Sequence, residues 1–272
     1  MRIDKFISEQ AGVSRSDAKA LIKKKEITVN GVAVKSADMK IDPEKDIIAI
    51  GGKKLAYRQF MYIMLNKPDG VICATRDGLS STVLELIPEE LRRKGLFPAG
   101  RLDKDTEGFV FITDDGALAH KMLSPKSHVE KEYVVTLENP YEERYAEIFA
   151  SGMTIDGGEE CLPARLIPTV DSHIVHLILH EGKYHQVKRM MEAVGNAVVY
   201  LKRLTMGPLS LDQSLALGEF RPLTKKEVEE YATYVSLEEL YAHSDIISLH
   251  PPSTAENYHL LDELAFKQMK DG

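Results

Sequence analysis

The sequence predicts an α+β fold. A small N-terminal unit of two helices and a hairpin precedes a larger unit built on a mixed, mainly antiparallel sheet with flanking helices. Three observations point there. Strand-like segments outnumber helical ones and do not alternate regularly with them, which disfavours a doubly wound fold. Helical spacing and then alternation fill the first 57 residues, which close on the linker-like run Gly51-Gly52-Lys53-Lys54. From about Glu230 the chain turns acidic and helix-like once more. The expected units are residues 1–57, residues 58–231, and an acidic, helical C-terminal extension over 232–272.

In the first unit Ile3, Phe6 and Ile7 have helical spacing. Ser14 is placed to cap a second helix, with Asp17 three residues on. Ala18, Leu21 and Ile22 make that helix's apolar face. Arg15, Lys19 and Lys23, each four apart, make a basic stripe on another face. ITVNGVAV then reads as a hairpin turning at Asn30-Gly31, residues that accept positive φ. Asp46 to Ile50 is a further strand. In the second unit MYIMLNKP is a strand stopped by Pro68-Asp69-Gly70. Lys131 to Leu137 and HIVHLILH are strands, with a turn at Gly157-Gly158 between them. Gln186 to Val194 is helical, and AVVYLKRL returns to strand. In the extension, Ser236 with Glu239 and Ser253 with Glu256 form capping boxes on either side of Pro251-Pro252. A last amphipathic helix there carries Leu260, Leu261, Leu264 and Phe266, and the extension either covers these by packing against the large unit or sets its acidity against a polyanion.

A chain of 272 residues can bury a sizeable core. Cys73 and Cys161 are too few and too far apart for a disulfide framework or a metal cluster, and they suit a reducing compartment. Asp4, Lys5 and Glu9 interrupt any signal-peptide core, and no apolar run approaches a membrane span, so a soluble, cytoplasmic protein is expected. The net charge of −7 argues weakly against a nucleic-acid partner, but its distribution does not. From Val228 onward nine acids stand against two bases, which leaves the rest of the chain neutral. Residues 1–35 hold eight bases and four acids. The stripe of Arg15, Lys19 and Lys23, with Lys24 and Lys25 beside it, is either a solvated helix face or a surface for a phosphate backbone.

The most charged stretch of the large unit is PAGRLDKDTEGFVFITDDG, Pro98 to Gly116, with five carboxylates and an apolar run from Phe109 to Ile112. Spacing alone does not tell a reactive acid from a loop charge here. The chain has no Walker loop, no G-x-G-x-x-G and no Cys/His ligand set. His173, His176 and His180 do not share one strand face, so neither a metal nor a nucleotide cofactor is expected.

RIDKFISEQAGVSRSDAKALIKKKEITVNG resembles an S4 (alpha-L) RNA-binding domain, with Lys25 where that family usually has Gly. Gly100-Arg101-Leu102-Asp103, with Thr106 and Gly108, resembles the G-R-L-D-x-x-T-x-G-L motif of pseudouridine synthases, Phe109 replacing the usual Leu. LNKPDG at 65–70, EKEYVV at 130–135 and EGKYHQVKRMMEAVGN at 181–196 resemble further motifs of that family in the expected order. LKRLTMGPLSL and GEFRPLT continue the likeness to about Glu227. TDDGALAHKMLSPKSHVEKEY and EGKYHQVKRM point to the S4-bearing enzymes of small-subunit (16S) rRNA. The 23S enzymes are near neighbours, and a non-catalytic S4-type RNA-binding or assembly factor is the alternative from another class.

The resemblance implies an isomerase, an intramolecular transferase that breaks the N-glycosidic bond of uridine and rejoins the base through C5, without metal or cofactor. It assigns the ionised carboxylate to Asp103 and the basic residue against it to Lys188, where Arg is more frequent. A Lys keeps the charge but loses the bidentate fork. Tyr133 is the residue that packs on the target base. Arg101 enters the space left by the flipped nucleotide, whose unstacking costs about a few kcal/mol. Lys183, Arg189 and Lys202 are expected at phosphates, as is the Arg15, Lys19 and Lys23 stripe. Asp105 and Glu107 are expected to stay solvated at the cleft rim. The implied partner is ribosomal RNA, free or in an assembly intermediate, met by a monomer.

Overall fold

The structure, a computed structural model, describes residues 1–124 and 128–231. The expected capping boxes of the extension, its Pro251-Pro252 break and its last helix lie outside the described residues. The chain divides into two compact units, Met1–Val228 and Glu229–Gly272. The fold described here is that of the first.

Helix α1 (Ile3–Ala11) ends at Gly12, whose left-handed conformation stops it. Helix α2 (Arg15–Lys23) starts with a complete capping box: the Ser14 hydroxyl accepts the Asp17 N–H at 3.1 Å, and the Ser14 N–H donates to Asp17 Oδ2 at 3.2 Å. Both helices pack on a sheet of order β2-β1-β3-β4, made of β1 (Ile27–Val29), β2 (Val32–Ala33), β3 (Ile48–Ile50) and β4 (Lys53–Leu55). Ile3, Phe6, Ile7, Ala18, Ile22, Ile27 and Ile48 form its core. Asn30 and Gly31 both take positive φ, as the hairpin requires. One expectation needs correction. Lys53 and Lys54 are not linker but the edge strand β4, because Gly51 and Gly52 together turn the chain back onto β3.

The second sheet has eight strands: β5 (Tyr62–Lys67), β6 (Phe97–Ala99), β7 (Glu107–Thr113), β8 (Lys131–Leu137), β11 (Arg165–Pro168), β12 (Ile174–Leu179), β13 (Val198–Arg203) and β16 (Phe220–Pro222). Two small hairpins stand apart from it, β9 (Met153–Ile155) with β10 (Glu159–Cys161), and β14 (Thr205–Met206) with β15 (Leu209–Ser210). The large sheet runs β11-β12-β8-β13-β7-β5-β16, with β6 beside β7. Every pairing is antiparallel except β13 with β7. The mixed, mainly antiparallel α+β sheet is the one the sequence predicts.

Alternation along β8 buries Lys131, Tyr133, Val135 and Leu137 and leaves the residues between them half-buried. Helices α4 (Glu143–Ser151) and α5 (Gln186–Ala193) cover that face, bringing Tyr145, Phe149, Met190 and Met191 into one core with Tyr133 and Val135. Strand β7 is buried on both faces, which explains its unbroken apolar run. The Asp115 side chain accepts the N–H groups of Ala117 and Leu118 and so caps α3 (Gly116–Leu123). Helix α6 (Lys225–Tyr231) is the last described element. Among the described residues no helix is long and apolar enough to cross a membrane.

Candidate active site

Strands β6 and β7 form a hairpin, and residues 100–106 are its connecting loop. Asp103 sits on that loop. Loops are ordinarily mobile, but this one is held by its backbone from several sides. The fully buried Lys67 ammonium, at the end of β5, donates to the carbonyls of Pro68 (3.0 Å), Lys104 (2.9 Å) and Thr106 (2.7 Å). The buried Arg203 guanidinium, at the end of β13, spans the neck of the loop, from the Gly100 carbonyl at 2.5 Å to the Phe109 carbonyl at 2.8 Å. The Leu102 N–H donates to Cys73 Sγ at 3.3 Å, and the Gly70 N–H donates to the Lys104 carbonyl at 3.0 Å. Gly108 takes φ +100° and lies so close to β13 that a Cβ would run into the Arg203 carbonyl. A glycine is therefore needed at that point of the motif.

This loop faces a cleft of about 80 Å³ lined by Arg101, Asp103, Thr106, Tyr133, Lys183, His185, Gln186 and Val187, among others. Distant chain segments thus meet there. Asp103 comes from the hairpin loop, Tyr133 from β8, and Lys188 and His185 from the start of α5. The Asp103 carboxylate is 27% exposed, with Oδ2 3.9 Å from Lys188 Nζ and Oδ1 3.6 Å from His185 Nε2. Tyr133 is 7% exposed, and among the described residues its hydroxyl has no hydrogen-bond partner. Arg101 is exposed and makes no ion pair with Asp105 or Glu107. The Thr106 hydroxyl is buried, lines the cleft and has no partner among the described residues.

The flanking charges differ from expectation. Asp105 does not simply stay solvated: its Oδ1 is 2.5 Å from Lys188 Nζ, so Lys188 bridges two carboxylates and lies closer to Asp105 than to Asp103. Hydrogen bonding from Lys188 holds the Asp105 carboxyl below the usual range. An ammonium with several rotatable donors can serve both acids at once. Glu107 accepts the Tyr200 hydroxyl at 2.6 Å. Lys183 and Arg189, expected at phosphates, have acidic partners of their own. Lys183 pairs with Glu159 (3.4 Å) and Glu181 (3.5 Å). Arg189 binds the Asp156 carboxylate, Glu159 (2.8 Å) and the carbonyls of Tyr184 (3.0 Å) and Asp156 (2.8 Å). Arg189 thereby ties the start of α5 to the turn between β9 and β10. Lys202 is half-buried on β13 with no ion pair, and Arg15, Lys19 and Lys23 are exposed on α2 with none among the described residues.

Sequence reasoning missed His185, Lys67, Arg203 and Cys73 as parts of this site. LNKP and LKR belong to the motifs, but nothing in them says that two buried cations hold the loop by its carbonyls. The available signal is that Lys67 and Arg203 each end an apolar strand run. Lys131, two residues before Tyr133, is buried as well, and burial with the nearby Arg203 charge brings it down to about 8. Among the described residues no group of three or more His, Cys, Asp or Glu is placed to hold a metal ion. His176 instead meets Glu132 at 2.7 Å. A larger concavity, about 790 Å³, lies between α1, the α1–α2 turn and residues 93–95. It is lined by Lys5, Arg15, Arg93 and Lys94 but holds no candidate reactive group.

The chain is similar to known proteins over most of its length. The model of the RNA pseudouridylate synthase family matches residues 61–193, a span that includes Asp103, Tyr133 and Lys188, and the S4 domain model matches residues 1–48. A third model, the NAD-binding domain of D-isomer specific 2-hydroxyacid dehydrogenases, matches residues 212–272, a stretch without the G-x-G-x-x-G that such a domain uses at the pyrophosphate. Uncharacterized RNA pseudouridine synthase YtzG of Bacillus subtilis is 46% identical over 84% of this chain and 97% of its own length. Ribosomal small subunit pseudouridine synthase A of Escherichia coli is 45% identical over 84% and 98%. A crystal structure of a pseudouridylate synthase superposes with a TM-score of 0.60 at 43% identity, covering 85% of this chain and 99% of that one. With the hairpin-loop aspartate, the buried tyrosine and the N-terminal S4 unit already in view, this chain belongs to the RNA pseudouridine synthase family, among its S4-bearing members.

Proposed function

We propose that this protein isomerises one uridine of 16S rRNA to pseudouridine, with residues 1–57 as its RNA-binding module and 58–231 as its catalytic domain. The observation that carries the reading is the meeting of Asp103, Tyr133, Lys188 and Arg101 at one cleft. Relatives named for the ribosomal small subunit, in Escherichia coli and Haemophilus influenzae, support the choice of rRNA. Position 516 is the target that the resemblance implies. The working form is a cytoplasmic monomer acting on free rRNA or an assembly intermediate.

In the reaction the C1′–N1 bond of uridine breaks and a C1′–C5 bond forms. The C5 proton is lost and N1 gains one, so the composition of the RNA does not change. Asp103 acts as nucleophile or base at the flipped nucleotide, and Lys188 keeps a positive charge beside it when RNA excludes water. Tyr133 holds the uracil ring by packing against it. Arg101, exposed and unpaired, fills the gap left in the RNA stack. Lys202 and the stripe of Arg15, Lys19 and Lys23 meet phosphates, where charge contributes affinity without base readout. Lys183 and Arg189 shape the cleft wall through their acidic partners.

The test is tritium release from 16S rRNA labelled at uridine C5. The parent releases tritium and Asp103→Asn does not. Release by Asp103→Asn at the parental rate removes Asp103 from its role. Site-resolved mapping of both rRNAs in a deletion strain distinguishes 16S from 23S targets.

A further inference from the structure

Beside the Asp103 carboxylate the structure holds a pair of aromatic rings with no task in the fold. Tyr184 and His185 stack face to face, with centroids 3.8 Å apart and planes 17° from parallel. Tyr184 is 75% exposed, the most exposed tyrosine among the described residues. His185 occupies the N-cap of α5, but its side chain makes no capping hydrogen bond, and its φ of 48° is left-handed. A non-glycine residue in that region carries strain, and strained residues gather at working sites. The imidazole lines the cleft 3.6 Å from Asp103, and the phenol ring stacked on it stands in solvent.

The loop that carries the pair is rigid. The Lys183 N–H donates to Gln186 Oε1 at 2.9 Å, and Gln186 Nε2 donates to Glu181 at 2.8 Å. Lys183 pairs with Glu159 and Glu181, and Arg189 holds the Tyr184 carbonyl at 3.0 Å. A large exposed ring on a fixed backbone, beside the reacting group, has the properties of a stacking platform: its contact surface needs no further ordering when a base arrives.

We propose that Tyr184, backed by His185, is the platform for a nucleobase next to the target uridine. It holds the RNA strand in place while the uridine itself lies against Tyr133 and Asp103. The proposal rests on the reading of the cleft as a pseudouridine synthase site. A platform of this kind reads the presence of a base more than its identity, since every base has a π-face. It acts on binding and leaves the chemical step unchanged.

The experiment uses the full chain, tritium release from C5-labelled 16S rRNA, and the variants Tyr184→Ala and Tyr184→Phe. Tyr184 is exposed, so neither variant disturbs the core. Tyr184→Ala should raise KM by roughly 5- to 100-fold with kcat within about twofold, and Tyr184→Phe should match the parent. An abasic nucleotide placed directly beside the target should slow the parent by a similar factor and have no added effect on Tyr184→Ala. An unchanged KM in Tyr184→Ala overturns the platform. So does an equal loss in Tyr184→Phe, which would assign the contact to the hydroxyl. A parent that releases no tritium from 16S rRNA overturns the functional reading beneath it, an outcome distinct from the other two.

Discussion

The loop that presents Asp103 depends on a buried lysine, and removing that lysine should cost both stability and turnover. Lys67 is fully buried, and its ammonium donates at 2.7, 2.9 and 3.0 Å to three backbone carbonyls, two of them in the loop. Each charge-assisted hydrogen bond contributes roughly 1.5–3 kcal/mol. Desolvation of the ammonium, visible in its lowered pKa, takes back part of the sum. Lys67→Met keeps the volume and the apolar stem but removes all the donors, so three carbonyls lose the ammonium and that of Lys104 keeps only the Gly70 N–H. The expected loss is on the order of 3–5 kcal/mol, the range for removing one member of a buried charged network. Freed at Lys104 and Thr106, the loop no longer fixes the carboxylate it carries, and a displacement of about 1 Å can cost roughly 100-fold in rate. Urea unfolding followed by circular dichroism measures the first effect. Tritium release at a temperature where the variant is still folded measures the second, as a fall in kcat with little change in KM. A Lys67→Met protein with the parent's urea midpoint and the parent's kcat would refute the idea that these contacts hold the loop.

Two other perturbations test separate parts of the molecule. Lys25 takes φ 60° just after α2, a left-handed position costing a side chain roughly 1–2 kcal/mol, so Lys25→Gly should stabilise the S4 unit by about 0.5–1 kcal/mol after glycine's extra chain entropy is subtracted. A lower urea midpoint for Lys25→Gly would contradict this. Lys131, buried with a pKa of about 8, is protonated in both states below that pH and costs the fold its full desolvation there. Between about pH 8 and 10.5 the folded lysine gives up its proton while the unfolded one keeps it, so stability rises with pH, by roughly 3 kcal/mol for this group. Lys131→Met should lack that increment, and parent and variant curves that stay parallel from pH 8 to 10.5 would exclude it.

Much of the fold could be read from the sequence because its local signals agree. Ser14 and Asp17 spell out a capping box that forms as written, and Asn30-Gly31 turns where its φ preferences require. Lys131 to Leu137, expected as a strand, is β8 with the same bounds. The linker reading of Lys53-Lys54 fails for a physical reason. Paired glycines are equally at home in a flexible joint and in a tight turn, and only the pairing with β3 decides which they serve. The site divides in the same way. Asp103, Tyr133 and Lys188 can be named from motifs, but the partner geometry cannot. The preference of Lys188 for Asp105, and the engagement of Arg189 by Asp156 and Glu159, arise between segments far apart in sequence. His185 escapes a sequence reading because a lone histidine before a helix has no pattern of its own. Only its backbone conformation and its distance to Asp103 single it out.

The same distinction decides how charge bears on RNA binding. A formal charge of −7 describes a protein that should repel RNA, yet the acidic excess is confined to the chain from Val228 onward. What a phosphate backbone meets, moreover, is the set of cations that the protein has not already neutralised. Lys183, Lys188, Arg189 and Arg221 are matched to acids within a few ångströms, and Lys67 and Arg203 are sealed inside by carbonyls. Arg15, Lys19 and Lys23 on α2, Arg101 at the cleft and Lys202 on β13 make no ion pair among the described residues. They fall in two places, three on the S4 unit and two, Arg101 and Lys202, on the larger unit. A strand held at both would be positioned by charge at the first and opened for chemistry at the second. The buried cations act on the protein's own backbone, the unpaired ones are the set left for RNA under the proposed function, and burial with hydrogen bonding, rather than residue type, separates the two sets.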